Sequence, residues 1–297
     1  MFLELFGTTV ISDGAMGTML REFGLPSGQR SDTMNMTSPA SVSEVHRMYV
    51  DAGSDIIYTN TFGANADALE GSGYTPEEII GSAVKAARGA CKEKTMVALD
   101  IGPIGMLLEP MGNAKHDHIY SLFSQQAILG EKFGADLVAI ETMSDIAELK
   151  TAVRAVKENT KLPIIATMTF SKTGHTYLGC TPDDLSLLAE EYGLSAIGLN
   201  CSLAPSEMEE TVRRFASTTK LPLVIKPNTG LPDAETGSYG IGIEDFATQI
   251  LELTRIIQEM DSSGPPSTGS ESHRCVIIGG CCGTTPEYIC ELRRLFS

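Results

Sequence analysis

Cys281 and Cys282 stand side by side in the stretch IIGGCCGTTPEYI, residues 277–289, between Gly279-Gly280 and Gly283. Successive residues of a continuing strand point to opposite faces, so two adjacent thiols there would look away from each other. Glycine on both sides lifts that constraint, because the freed backbone can turn and bring both sulfurs to one point. A third thiol, Cys201, ends the apolar run AIGLNC, residues 196–201. Three readings fit these residues: packing thiols, a strained vicinal disulfide, or a metal site with three thiolate ligands.

The chain holds seven cysteines, an odd count, and its N-terminus MFLELFGTTVISDG lacks a basic segment followed by a long apolar one. A cytoplasmic protein with reduced thiols is therefore expected, which disfavours the disulfide. The paired Cys-x-x-Cys spacing of a zinc ribbon does not occur. Three cysteine ligands would leave zinc one open tetrahedral position, as in reactive rather than structural sites. Zinc with three thiolates is net negative and polarises a carbonyl poorly. It suits soft chemistry: a substrate thiol entering the open position loses its proton and keeps an electron-rich sulfur. Alkyl transfer to sulfur is the matching reaction. Cys91, Cys180, Cys275 and Cys290 read as packing thiols, and Asp145 as a helix N-terminal acid. His46, His116, His118, His175 and His273 share no ligand spacing and read as surface or packing residues.

Elements that could position these residues are marked by eight short apolar runs, ending at Asp13, Asn60, Asp100, Glu141, Phe170, Cys201, Asn228 and Cys282. Runs of this kind suit strands buried on both faces, and the 27 to 54 residues between successive ends leave room for a crossover helix each time. Phe246, Ile250, Leu253 and Ile257 form a helical stripe, while Thr75-Pro76, Thr181-Pro182 and Thr285-Pro286 read as helix starts. Eight strand-helix units in 297 residues predict a single-domain α/β fold, a (β/α)8 TIM barrel spanning 1–297, rather than a doubly wound sheet. Its active site belongs at the C-terminal strand ends, where Asp13, Glu141, Asn200 and the three cysteines fall. The Ser/Gly/Pro-rich segment 261–274 predicts a flexible loop at the opposite face.

A net charge of −16 argues against nucleic acid or an anionic membrane surface as partner. No run reaches the roughly 18 apolar residues of a membrane span.

The segments ISDGAMGTML, TNTFGAN, DIGPIG, IETMSDIAELK, GLNCS, KPNTG and GGCCGTTPEYI together resemble the homocysteine S-methyltransferase family, most closely the homocysteine-binding barrel of cobalamin-dependent methionine synthases. The resemblance runs over essentially the whole chain. It implies that Cys201, Cys281 and Cys282 hold zinc, that homocysteine supplies the fourth ligand, and that methyl transfer gives methionine. It further implies that Asp13 and Glu141 hold the substrate ammonium and that Asn60 and Thr61 border the pocket. Main-chain N–H groups near Gly14 are placed to take the substrate carboxylate, and Asn200 to orient the metal loop.

Gly283 after the paired cysteines, where S-methylmethionine users of the family tend to have arginine, points to a methyl-corrinoid donor. The chain has no Asp-x-His-x-x-Gly pattern for ligating cobalt, so the donor is expected on a separate domain or protein. The chain could be part of a larger synthase or a stand-alone enzyme that docks with a corrinoid protein. Lys226 departs from the family pattern; it is expected to alter the charge near the pocket mouth, and it leaves the acceptor open. The alternatives are transfer involving another small methylated compound or thiol, S-methylmethionine as donor, and a zinc- or ligand-binding subunit without turnover.

Overall fold

The computed structural model describes residues 8–26, 28–231, 239–262 and 274–297. In chain order the elements are β1 (Thr9–Ile11), α1 (Met16–Glu22), α2 (Met34–Thr37), α3 (Pro39–Asp51), β2 (Ile56–Tyr58), α4 (Pro76–Ala90), β3 (Met96–Ile101), α5 (His116–Phe133) and β4 (Leu137–Met143). They continue with α6 (Ile146–Asn159), β5 (Ile164–Met168), α7 (Pro182–Tyr192), β6 (Ala196–Asn200), α8 (Glu209–Thr218), β7 (Leu223–Lys226), α9 (Ile243–Ser262), β8 (Val276–Ile278) and α10 (Pro286–Leu295). All eight expected strands form, and they pair in parallel in the order β1-β8-β7-β6-β5-β4-β3-β2.

That order leaves one seam, between β1 and β2. A bridge between Ser12 and Ile56 closes it, with Asp55 N–H donating to the Ile11 carbonyl at 2.7 Å and Asp13 N–H to the Ile56 carbonyl at 3.0 Å. The result is the expected (β/α)8 barrel of one domain. Alternation along the strands sorts the core in two. Ile56, Ala98, Ala139, Val224 and Ile277 fill the inside of the barrel, and a larger cluster lies between strands and helices. Two residues beyond four of those inner positions stand Tyr58, Asp100, Glu141 and Lys226, so the C-terminal end of the interior is polar where its middle is apolar.

Local sequence sets the helices. Thr75 and Thr181 form capping boxes with Glu78 and Asp184. Asp145 caps α6 by accepting from Ala147 N–H at 2.8 Å, as its reading required. Thr285 precedes α10 differently, its hydroxyl donating to the Glu287 carboxylate instead of capping the backbone. The stripe Phe246, Ile250, Leu253 and Ile257 is buried. No helix among the described residues is long and apolar enough to cross a membrane. All seven cysteines are free. Of the four expected to pack, Cys180 is buried, Cys91 and Cys275 are half-buried, and Cys290 is exposed on α10, contrary to that reading.

The segment 261–274 differs from its expectation at both ends, while 263–273, His273 included, lie outside the described residues. Asp261 and Ser262 complete the last turn of α9. Arg274 is buried: its Nε meets the Asp261 carboxylate at 2.9 Å, and its two other nitrogens donate to the carbonyls of Thr219 at 2.7 Å and Ala216 at 2.9 Å. A Ser/Gly/Pro composition gives no hint of this anchor, because it depends on a charge pair that meets only after α9 and β8 are in place. Breaking a buried pair strands the remaining charge. Arg274→Met is therefore expected to lower unfolding stability by about 3 kcal/mol, read from urea denaturation; an unchanged midpoint would show that the anchor contributes nothing.

Candidate metal and substrate site

The strand ends on one side of the seam carry the three thiols. Cys201 follows β6, and Cys281-Cys282 follow β8; β7 lies between and pairs with both. The backbone bends sharply to bring the sulfurs together. Cys201 and Ser202 adopt φ of 59° and 51°, and Thr142 at the end of β4 adopts 64°, a left-handed region that non-glycine residues seldom enter. Gly283, at φ 86°, closes the cysteine loop; a Cβ there would meet Thr229 Oγ1 at 2.0 Å. Main-chain bonds lock the bends: Cys201 N–H donates to the Lys226 carbonyl at 3.0 Å, Cys281 N–H to Pro227 at 2.8 Å, and Gly280 N–H to Asp13 at 3.1 Å.

The three Sγ atoms lie within 4.8 Å of one another, with Cys201 and Cys282 at 3.9 Å. Two thiolates of a tetrahedral zinc site, each about 2.3 Å from the ion, are roughly 3.8 Å apart, so the sulfurs are spaced to share one metal. Hydrogen bonding within the trio, led by Cys201, holds the Cys282 thiol far below its ordinary range and pushes that of Cys281 well above. Thiols this close disfavour one another's ionised forms, which a cation at their centre would relieve.

Outer contacts fix the cysteines. Asn200 Nδ2 stands 4.0 Å from Cys281 Sγ and 2.8 Å from Thr142 Oγ1, while Asn200 Oδ1 accepts from Thr142 N–H at 2.8 Å and the Thr167 hydroxyl at 2.7 Å. Thr284 Oγ1 donates to the Cys281 carbonyl at 2.6 Å and accepts from Ala15 N–H at 3.1 Å, which ties the cysteine loop to the start of α1.

Beside the sulfurs opens a cavity of about 290 Å³, lined by residues from seven of the eight strand ends, all but that of β5. Its floor is charged. Asp13 Oδ2 accepts from Tyr58 N–H at 2.7 Å, and Asp13 Oδ1 accepts from Lys226 Nζ at 3.2 Å. The Lys226 ammonium also sits 3.5 Å from the centroid of the Tyr58 ring, a cation–π contact. Burial opposes the charge on Lys226, yet Tyr58, Asp13 and Glu141 around it keep the ammonium protonated beyond its ordinary range. Burial likewise raises Glu141, to about 7, with Asp13 and Cys201 adding to the effect against Lys226.

The structure brings together Cys201, Cys281, Cys282, Asp13, Gly14, Asn60 and Glu141 around this cavity. Asn60 stands at the wall with its amide committed to the Ser31 carbonyl at 2.7 Å. Thr61 is turned away: its hydroxyl donates to the Asp100 carbonyl at 2.7 Å, inside the β2–β3 joint. Asn200 lies behind the sulfurs rather than on the cavity. Lys226 is on the floor, not at the mouth as its place in the sequence suggested. Of the histidines, His46 is wholly buried and its ring is pushed down to about 4 by burial, whereas His116, His118 and His175 are exposed. Sequence reasoning missed roles for Tyr58, Asp100, Thr142, Tyr239 and Thr284; for Tyr58 and Asp100 the available signal was two-residue alternation from an apolar inner position.

Comparison with known proteins gives the family and the fold. The family described as homocysteine S-methyltransferase matches residues 10–296. The methionine synthases of Mycobacterium leprae (strain TN) and Mycobacterium tuberculosis (strain ATCC 25618 / H37Rv) are 29% and 30% identical over 304 and 305 residues, each alignment covering 95% of this chain. The chain spans about a quarter of the length of these relatives, 24% in each case. Among solved structures, the metallated and oxidized forms of the homocysteine methyltransferase MmuM from Escherichia coli both superpose with a TM-score of 0.79 at 21% identity, covering 99% of this chain and 98% of theirs, a likeness of fold. A barrel matched from its first strand to its last helix, with three thiols gathered at its C-terminal rim, belongs to the homocysteine S-methyltransferase family.

Proposed function

We propose that this chain moves a methyl group to the thiol of homocysteine, giving methionine, with zinc held by Cys201, Cys281 and Cys282. The observation that carries the reading is the trio of sulfurs within 4.8 Å of one another on the wall of a small charged cavity. Three thiolates are a soft donor set, which suits zinc. Zinc held there would supply an open fourth position in which a thiol is deprotonated yet remains nucleophilic.

The chain's own groups do the rest. Glu141 meets the ammonium of the amino acid, which leaves the thiol end directed toward the cysteines. Gly14 and Met16 to Thr18 line the cavity and offer main-chain N–H groups to the carboxylate, whereas Ala15 N–H is held by Thr284 Oγ1. Asn200 and Thr284 hold the sulfur-bearing loops in place, and Phe62 and Tyr239 wall the cavity against water. The net reaction transfers CH3 from donor to sulfur and releases the thiol proton.

The donor in this reading is a methyl-corrinoid on a separate domain or protein. Gly283 supports it, since the packing at that position excludes an arginine side chain. So does the mouth of the barrel, where Phe62, Leu107, Met111, Tyr177 and Leu231 are exposed on loops that follow β2, β3, β5 and β7. Exposed apolar groups on loops at this end of the barrel, Phe62 among them on the cavity itself, suit a large docking donor better than a small soluble one.

Two tests follow. Zinc-loaded protein given L-homocysteine should form methionine from methylcobalamin and not from S-methylmethionine; the reverse outcome reassigns the donor, and silence from both removes the proposed reaction with free donors. Cys201→Ala, Cys281→Ala and Cys282→Ala should each lose stoichiometric zinc by metal analysis and abolish transfer, with the circular dichroism spectrum retained, and full activity in all three would refute the metal site. Thr284→Val, which removes only the outer tie, should weaken zinc affinity by roughly 10- to 100-fold in a chelator competition.

A further inference from the structure

The cavity presents three carboxyl groups, and they are not equivalent. Asp13 is already engaged on both oxygens, by Tyr58 N–H at 2.7 Å and by the Lys226 ammonium at 3.2 Å. The side chains of that pair are 2% and 4% exposed. A substrate ammonium placed on Asp13 would share one buried carboxylate with Lys226, two like charges in a site that water does not screen.

Asp100 is the opposite case. It is 8% exposed and lines the same cavity, yet its Oδ1 has no hydrogen-bond partner among the described residues. Its main chain is held on both sides, with N–H donating to Thr59 Oγ1 at 3.1 Å and the carbonyl accepting from Thr61 Oγ1 at 2.7 Å, so the carboxyl is fixed in place while unsatisfied. Buried polar atoms are nearly always paired, and one left unpaired on a cavity wall is a place for a ligand group. Its neighbour on the next strand is Glu141: Asp100 is paired in register with Ala139, two residues before Glu141 on the same face. Burial and then the proximity of Glu141 push the Asp100 carboxyl well above the ordinary carboxylate range, against the pull of Lys226. That lysine is the cation near both carboxyls, but its hydrogen bond goes to Asp13.

We infer that Asp100, with Glu141, forms the seat for the ammonium group of the amino-acid acceptor, and that Lys226 withholds Asp13 from this role. The inference rests on the proposed acceptor being an α-amino thiol. Lys226 is thereby a positioning residue: it neutralises Asp13 at the seam of the barrel and moves the ammonium site toward β3 and β4. The acceptor class that fits is a short thiol with a free primary ammonium, and its des-amino analogue should lose most of its affinity.

Calorimetric binding to the zinc-loaded protein separates this from turnover, with L-homocysteine and 4-mercaptobutanoate, the same thiol acid without the ammonium, as probes. The native protein should prefer L-homocysteine by roughly tenfold or more, the scale of a hydrogen bond between charged groups. Asp100→Asn should abolish that preference while leaving 4-mercaptobutanoate binding within about twofold and the melting temperature unchanged or raised, since it removes a carboxyl that has no partner. Asp13→Asn should lower the melting temperature and keep the preference. Retention of the preference in Asp100→Asn, its loss in a folded Asp13→Asn, or failure of Asp100→Asn to fold would each overturn the assignment. In Lys226→Met, which frees Asp13, Asp100→Asn should cost less than it does in the native background, and an undiminished cost would overturn the role given to Lys226. A protein that shows the predicted binding pattern but transfers no methyl group supports the ammonium seat and refutes the proposed reaction.

Discussion

The carboxylate of Asp13 is where the barrel closes and where the site begins. Between β1 and β2 no regular ladder forms, and the seam is held by a few main-chain bonds and by Asp13 receiving Tyr58 N–H. The other oxygen reaches across the interior to Lys226 on β7. One side chain thus joins three strands. A buried ion pair of this kind gains little net stability over an apolar core, because desolvation offsets most of the attraction. What it does supply is position: with Lys226 lodged over the Tyr58 ring, the floor of the cavity has one arrangement of charge.

The rim solves a different problem. Parallel strands deliver side chains alternately in and out, and a trio of thiols cannot be gathered from β6 and β8 without bending the chain at their ends. The bends fall on Cys201 and Ser202, with Thr142 nearby on β4, each in a left-handed conformation that costs on the order of 1–3 kcal/mol. They persist because surrounding bonds over-determine them. Asn200 grips Thr142 through both main chain and side chain, and the Lys226 carbonyl receives Cys201 N–H. The same lysine therefore serves the charged floor with its ammonium and the bend at Cys201 with its carbonyl.

Much of this was legible in the sequence, for identifiable reasons. Strands buried on both faces write themselves as short apolar runs, so all eight could be counted, and the glycine frame around Cys281-Cys282 announced a turn. Thr-Pro starts marked the helices because capping is local. What could not be read was whatever depends on two distant segments meeting. Lys226 after the run LPLVI looks like a residue at the pocket mouth, and only the position of Asp13 shows why an ammonium is tolerated inside. Thr61 sits beside Asn60 and Phe62, both on the cavity, yet alternation turns it into the β2–β3 joint. Asp100 ended an apolar run as visibly as Glu141 did, but nothing local shows that its oxygen lacks a partner.

That lack separates Asp100 from the other unsatisfied groups of the interior. His46 also has unpartnered nitrogens, and so does the amide of Gln126, but both lie on helices and neither lines the cavity. His46 resolves its burial by staying neutral, which a histidine does at little cost since neutrality is its ordinary state above pH 7. An aspartate resolves it only by holding a proton or by meeting a cation. A group facing that choice in a packed core would be a liability of the fold. Facing it on the wall of a cavity beside three thiols, it is a means of telling an amino-acid thiol from any other.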